Sequence, residues 1–273
     1  MQKLKDFAHG ALVPVLVLIL WEACSRAGLF SAVVMPAPSA VAAKWWAYLL
    51  PAQEQEAGQS YLAWLLSGEL LHDAYSSLYR VIAGFVIGAG LALPLGLLMG
   101  ANQRIYALFN PLVQILRPIP PIAYIPLAIL WFGLGNPPSF FLIAIGAFFP
   151  VYLALIAGIR NVDRKLIEVG EMYGFGTWDL ARRIYMPAAT PNLFTGLRTG
   201  LSVAWMFLVA AELLAATKGV GYLLMVGRET SRPDIVLAAI LVLAIMGKLS
   251  DSILKFFETR ALKWRDSLES RFQ

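Results

Sequence analysis

Few residues in this chain are equipped to make or break bonds. Its one cysteine, Cys24, and its two histidines, His9 and His72, stand in no metal-ligand spacing. No nucleophile and base lie in a catalytic pattern, and no Gly-rich loop ends in Lys-Ser or Lys-Thr to cradle a nucleotide's phosphates. What remains is the chemistry of isolated charges in apolar surroundings. Glu212 sits in the run Ala210-Ala-Glu-Leu-Leu214, where an ionised carboxylate is expensive unless it is paired or hydrated. It reads either as half of a structural ion pair with an intramembrane arginine or as a polar element of a solute path. Arg117, just before Pro118-Ile-Pro-Pro121, either lines an anion path or serves the helix break. Arg80 and Arg198 read as structural cations that snorkel from span ends.

Those charges must be positioned by helices in lipid. Hydrophobic residues make up 59% of the 273 and charged ones only 14%, whereas a soluble globule carries about 25% charged residues. With 15 Phe, 8 Trp and 8 Met to cover, the second solvent is a bilayer. The net charge of +5 reflects the Lys/Arg excess of cytoplasmic loops and not nucleic-acid binding. Six stretches have bilayer-spanning length: 8–28, 77–99, 105–132, 139–159, 194–216 and 234–256. Lys3 and Lys5 ahead of the run Ala11 to Trp21 suggest a secretory leader, but no small-x-small site follows it, so a retained first span is expected.

Pro111, Pro118, Pro120, Pro121 and Pro126 must bend or interrupt the third span, which makes it an interior element. Gly84, Gly88, Gly96 and Gly100 recur at four-residue spacing on the second, a pattern that admits a neighbouring helix closely. Trp131, Phe132, Phe148, Phe149, Trp205 and Met206 read as packing or lipid-facing groups rather than a substrate box. The positive-inside rule places both termini in the cytoplasm with Arg104, Arg160, Arg164, Lys165, Arg182 and Arg183. The stretch 29–76, with Glu54, Glu56, Glu69, Asp73, Trp45, Trp46 and Trp64, falls outside as amphipathic pieces along the interface.

Between the fourth and fifth spans the pattern changes. Residues 160–194 are amphipathic and mixed in charge, and predict two short helices, 162–173 and 177–186, broken at Gly174-Phe-Gly176 and stopped at Pro187. Thr177 is the expected N-cap of the second, with Asp179 near its positive end. A short helix outside the membrane gains little stability alone, so it suits docking on a soluble partner.

Glu168, Gly174, Ile184 and Pro187 stand at the spacing of the EAA signature of bacterial ABC importer permeases, and Glu168 through Pro187, continued by Ala188 to Arg198, resembles it. The chain departs from the pattern with Val169-Gly170 in place of the name-giving alanines. Two further blocks, Leu116 to Gly133 and Ala204-Trp205 with Val209 to Leu214 and Gly219 to Tyr222, are similar to the nitrate/sulfonate/taurine branch. The resemblance spans roughly 65–262.

It implies an all-α integral membrane protein of the type I, MetI-like permease fold with about six transmembrane helices. The implied division is an N-terminal span and periplasmic segment at 1–76, a permease core at 77–262 and a cytoplasmic tail at 263–273. It implies a homodimeric, non-enzymatic pore subunit in the bacterial inner membrane. ATP and Mg would be held by two cytoplasmic ATP-binding subunits, and a periplasmic or lipid-anchored binding protein would deliver substrate. Glu168, Gly174, Thr177, Asp179, Arg182, Ile184 and Pro187 are the implied ATPase-coupling residues. Arg117, Pro118, Pro121, Trp205 and Glu212 are the candidates for the translocation path. The substrate expected first is a small anion, an aliphatic sulfonate or taurine, with nitrate, bicarbonate or a vitamin precursor as alternatives. A secondary transporter without an ATPase partner would place several ionisable residues at the midplane, where Glu212 is the one strong candidate.

Overall fold

The computed structural model describes residues 2–29, 31, 34–50 and 68–264, with the backbone alone for 2–11 and Glu69. The expectations resting on Glu54, Glu56, Trp64 and the tail beyond Trp264 lie outside the described residues. Ten helices, which we label in chain order, make up the described architecture: α1 Gln2–Arg26, α2 Pro38–Leu49, α3 Glu69–Ala101, α4 Gln103–Leu116 and α5 Ile125–Phe132. They continue as α6 Asn136–Arg160, α7 Arg164–Met172, α8 Thr177–Ala215, α9 Val220–Glu229 and α10 Pro233–Ala261. Four of them, α3, α6, α8 and α10, are long and apolar enough to cross a bilayer, and α4 forms a bent fifth with residues Pro121–Phe132 at 81°. The chain divides into two compact units, Met1–Ser76 with Lys218–Ala244 and Ser77–Thr217 with Ile245–Gln273.

In the first unit, α1 covers the first expected span. Leu12, Val13 and every residue from Val15 to Leu20 are exposed, but α1 is not among the helices apolar enough to cross a bilayer, so four such helices and one bent pair stand among the described residues where six spans were expected. Its end is stitched to α2 by Glu22, whose carboxylate accepts from the Ser39 backbone N–H (3.0 Å) and hydroxyl (2.8 Å). An acid beside the first turn of α2 satisfies an otherwise orphaned donor. Asp73 does the same for Gly219, accepting its N–H at 2.8 Å.

The second unit is built around α6. In lipid, apolar burial does not drive helices together, so close backbone approach has to. The α3 glycines supply it: a Cβ at Gly84 would lie 2.6 Å from Ile143 Cβ, one at Gly88 would strike the Ala144 carbonyl, and Gly96 and Gly100 meet Leu155 and Ile159 in turn. On its other side α6 receives Gly196 and Gly200 of α8. Val151, Leu155, Leu142 and Ile143 of α6 are fully buried as a result, and the Tyr152 hydroxyl donates to Met99 Sδ at 3.0 Å.

Two expectations need correction. Pro111 lies inside α4 without breaking it, and the break falls at 117–120. Nor is α4 interior within this chain, since none of its residues is buried and Leu108, Leu112 and Ile115 are exposed. Its backbone is satisfied by its own helix, so it needs no cover from the rest of the chain. Residue 187 is the other correction. Pro187 does not stop a helix, because Thr177–Ala215 is continuous through a π-helical turn at Ala181–Tyr185. The wider turn pairs the Met186 N–H with Ala181 O, five residues back, and that shift in register accommodates a proline that an α-helix would reject.

Candidate functional site

The hairpin between α6 and α8 folds on local rules. Asp163 caps α7, its carboxylate accepting from the Lys165 N–H at 2.9 Å. The helix ends where Gly174 takes φ +76. There the Phe175 N–H reaches Gly170 O (3.0 Å) and the Gly174 N–H reaches Glu171 O (2.9 Å), the paired bonds of a Schellman turn. The sharp turn expected at Gly174 is therefore present. Thr177 is not the cap of the next helix: Gly176 holds that position with extended backbone, no side chain caps it, and Thr177 is the first helical residue.

The departure at Val169-Gly170 has a packing reason. Gly170 is buried, and a Cβ there would lie 2.5 Å from Ile184 Cδ1 and 2.8 Å from Leu180 Cδ2. The missing methyl lets the start of α8 close over α7. Asp179 pairs with Arg183 at 3.3 Å, and the Arg183 guanidinium lies over the Phe175 ring at 5.1 Å. Glu168 pairs with Arg164 at 3.0 Å, both well exposed, while Arg182 and Pro187 face outward.

Sequence reading missed the apolar side chains that this hairpin displays. Met172, Tyr173 and Trp178 are 87%, 78% and 73% exposed, with Leu166 and Val169 beside them. Flanked by Arg164, Lys165, Asp179 and Arg182, such a patch marks an interaction surface. Its signal was available in the apolar residues scattered through an otherwise charged amphipathic stretch.

At the opposite end of the same helices stands a charge cluster. Glu212, in the last turn of α8, is fully buried, and its carboxylate accepts from Arg80 (2.5 Å) and from the Ser77 hydroxyl (2.8 and 2.9 Å). Arg80 also donates from Nε to the Asn136 side chain at 2.7 Å. Of the two readings of Glu212, the structural ion pair is the one observed. Arg80 is 5% exposed and turned inward, so it does not snorkel, because a buried carboxylate holds it more strongly than the interface would. Arg198 does not snorkel either: it grips Asp251 of α10 with two bonds (2.9 and 3.2 Å) and approaches Glu258 at 3.4 Å. Ser77, Asn136, Asp251 and Glu258 went unnamed as partners, since partnership across helices leaves no trace in local spacing.

The remaining path candidates separate. Arg117 and Pro118 are exposed at the 81° break and Pro121 is half-buried beside them. Trp205 is buried, its indole donating to Ser250 Oγ at 2.9 Å, so in this conformation neither it nor Glu212 offers a surface to a solute. An apolar cavity of about 500 Å³ adjoins the break, lined by Leu116, Tyr124, Phe132, Phe141 and Phe148 among others. On its wall the rings of Phe132 and Phe141 meet tilted, and Phe141 meets Trp131 edge to face. No group of three metal-ligating side chains occurs among the described residues.

A family model described as binding-protein-dependent transport system inner membrane component matches residues 92–263. The aliphatic sulfonates transport permease protein SsuC of Bacillus subtilis (strain 168) is 38% identical over 98% of this chain and 91% of its own length. The taurine transport system permease protein TauC of Escherichia coli (strain K12) is 34% identical over 71% of this chain and 70% of its own. Among solved structures, the inward-facing MetNI methionine ABC transporter aligns 98% of a chain with 75% of this one at a TM-score of 0.60 and 18% identity, a likeness of fold.

Proposed function

This chain belongs to the binding-protein-dependent transport system inner membrane component family, the ABC importer permeases, and on that premise we propose that it forms the pore of an ATP-driven importer for a small organic anion. Two copies form the pore, two cytoplasmic subunits hold ATP and Mg, and a periplasmic or lipid-anchored protein delivers the substrate. The hairpin is the observation that carries this reading. It is a short structure between two spans, its first helix capped by Asp163, and it leaves Met172, Tyr173 and Trp178 largely exposed. An ATPase that docks there pushes on a helix continuous from Thr177 to Ala215. ATP then favours one packing of the dimer over the other.

The second copy covers the bare face of α4, and the path runs between the broken span and α8, with the Arg117 cation beside the Pro118–Pro121 break. A site of this kind binds weakly, since tight binding would slow release. Relatives named for aliphatic sulfonates and taurine support a sulfonate as the substrate. Uptake in a sulfur-starved host should depend on this chain for a sulfonate and not for sulfate. Sulfonate uptake that survives its deletion, with loss of nitrate entry instead, would overturn the substrate and leave the permease role standing.

A further inference from the structure

The two ends of α8 are joined by one uninterrupted helix. From Thr177 to Glu212 is roughly 50 Å at about 1.5 Å per residue. A push on the hairpin therefore arrives at Glu212, provided that α8 cannot twist against its neighbours on the way. Along its middle α8 meets α6 through Gly196 and Gly200, and α3 meets α6 through Gly84 and Gly88. These are van der Waals contacts, which hold two helices close and resist rotation weakly, and the polar bonds along the middle of α8, from Arg198 to Asp251 and from Trp205 to Ser250, go to α10 and not to α3 or α6. The direction-specific bonds that tie α8 to α3 and α6 stand at the end far from the hairpin. There Arg80 and Ser77 of α3 bond to Glu212 of α8, Arg80 bonds to Asn136 at the start of α6, and the Gly135 N–H donates to Ala215 O at 3.1 Å.

We infer that Arg80 and Glu212 are positioning residues for transport: their ion pair clasps α3, α6 and α8 at the end opposite the hairpin, so that motion delivered along α8 turns all three together. The inference rests on the permease reading given above. Charge suits this task because in a low-dielectric site the pair is strong and tolerates little misalignment. Neither residue touches the solute. With the clasp cut, the hairpin still docks and the partner still hydrolyses ATP, but α8 slips against α6 and the stroke is lost before it reaches the far end.

The complete transporter, reconstituted in vesicles with its ATPase and binding protein, tests this through the ratio of substrate taken up to ATP hydrolysed per assembled complex. Glu212→Gln, which keeps the shape and removes the charge, should lower that ratio at least tenfold while ATP hydrolysis stays within twofold. Arg80→Lys, which retains the cation, should recover part of the ratio relative to Arg80→Gln. Should Glu212→Gln fail to assemble, Asn136→Ala, which cuts a single bond, decides in the same way through a smaller fall. An unchanged ratio in the assembled variants, whether both activities persist or decline in parallel, would overturn the inference and assign the pair to stability alone. A wild-type complex without ATP-driven uptake would instead defeat the permease reading.

Discussion

The hairpin and the far-end cluster are two charged regions on the same helix, built on opposite principles. Around the hairpin the ion pairs Arg164–Glu168 and Asp179–Arg183 are exposed and one helical turn apart. Pairs of that kind contribute about 0–1 kcal/mol, so backbone turns and glycine packing shape this region while its charges stay free to meet a partner. At the far end Arg80 and Glu212 come from different helices and are almost wholly removed from solvent. Removing one member of a buried pair strands the other and costs about 3–5 kcal/mol. Charge can thus serve recognition where water screens it and rigidity where lipid and protein exclude water.

The largest expected effect follows from that contrast. Glu212→Leu should destabilise the inserted protein by about 3–5 kcal/mol, read as a loss of folded monodisperse protein on heating in detergent. Combining it with Arg80→Met should restore most of the loss, because no stranded charge remains. If Glu212→Leu proved as stable as the wild type, the contrast between the two ends would disappear.

Gly174→Val comes next. At φ +76 a β-branched residue is strained by about 1–3 kcal/mol, enough to unwind the Schellman turn but not to expel helices from a bilayer. Insertion should be retained and uptake should fall at least tenfold. Normal uptake by this variant would detach the turn from function. Trp178→Ala should leave thermal stability within about 0.5 kcal/mol, as for an exposed surface change. It should, however, weaken co-purification of the ATPase subunit severalfold, and undiminished retention would remove Trp178 from the docking surface.

Smaller still, Gly170→Ala should cost about 1 kcal/mol by overpacking against Ile184 and Leu180, and the added change Ile184→Val should recover part of it. Thermal scans of the single and double variants settle whether these residues share one space. Arg164→Ala belongs at the bottom of the scale, with a shift of stability below about 0.5 kcal/mol. A large loss there would show that exposed charge at the hairpin is structural after all.

Much of this was legible in advance, in specific ways. Gly174 announced its turn because few other residues accept a left-handed backbone there. Gly84, Gly88, Gly96 and Gly100 announced a helix contact because their spacing lines one helix face. The prolines announced a break in the third span but not its place, since Pro111 is tolerated inside α4 whereas four residues at 117–120 are not helical. Pro187 misled for a related reason: one residue's rule says nothing about a π turn upstream that makes room for it.

Sequence by itself determined the apolar solvent, the places of the four long spanning helices α3, α6, α8 and α10, and the hairpin between α6 and α8. Each depends on composition or on residues within a few turns of one another, and such interactions are repeated identically in any fold. Tertiary structure alone decided that Glu212 pairs with Arg80, that Arg198 pairs with Asp251 and that Gly170 yields to Ile184. Those outcomes join residues from 14 to 132 positions apart or bring side chains into one small volume. Charge and size permit many such pairings, and only the packed backbone selects one.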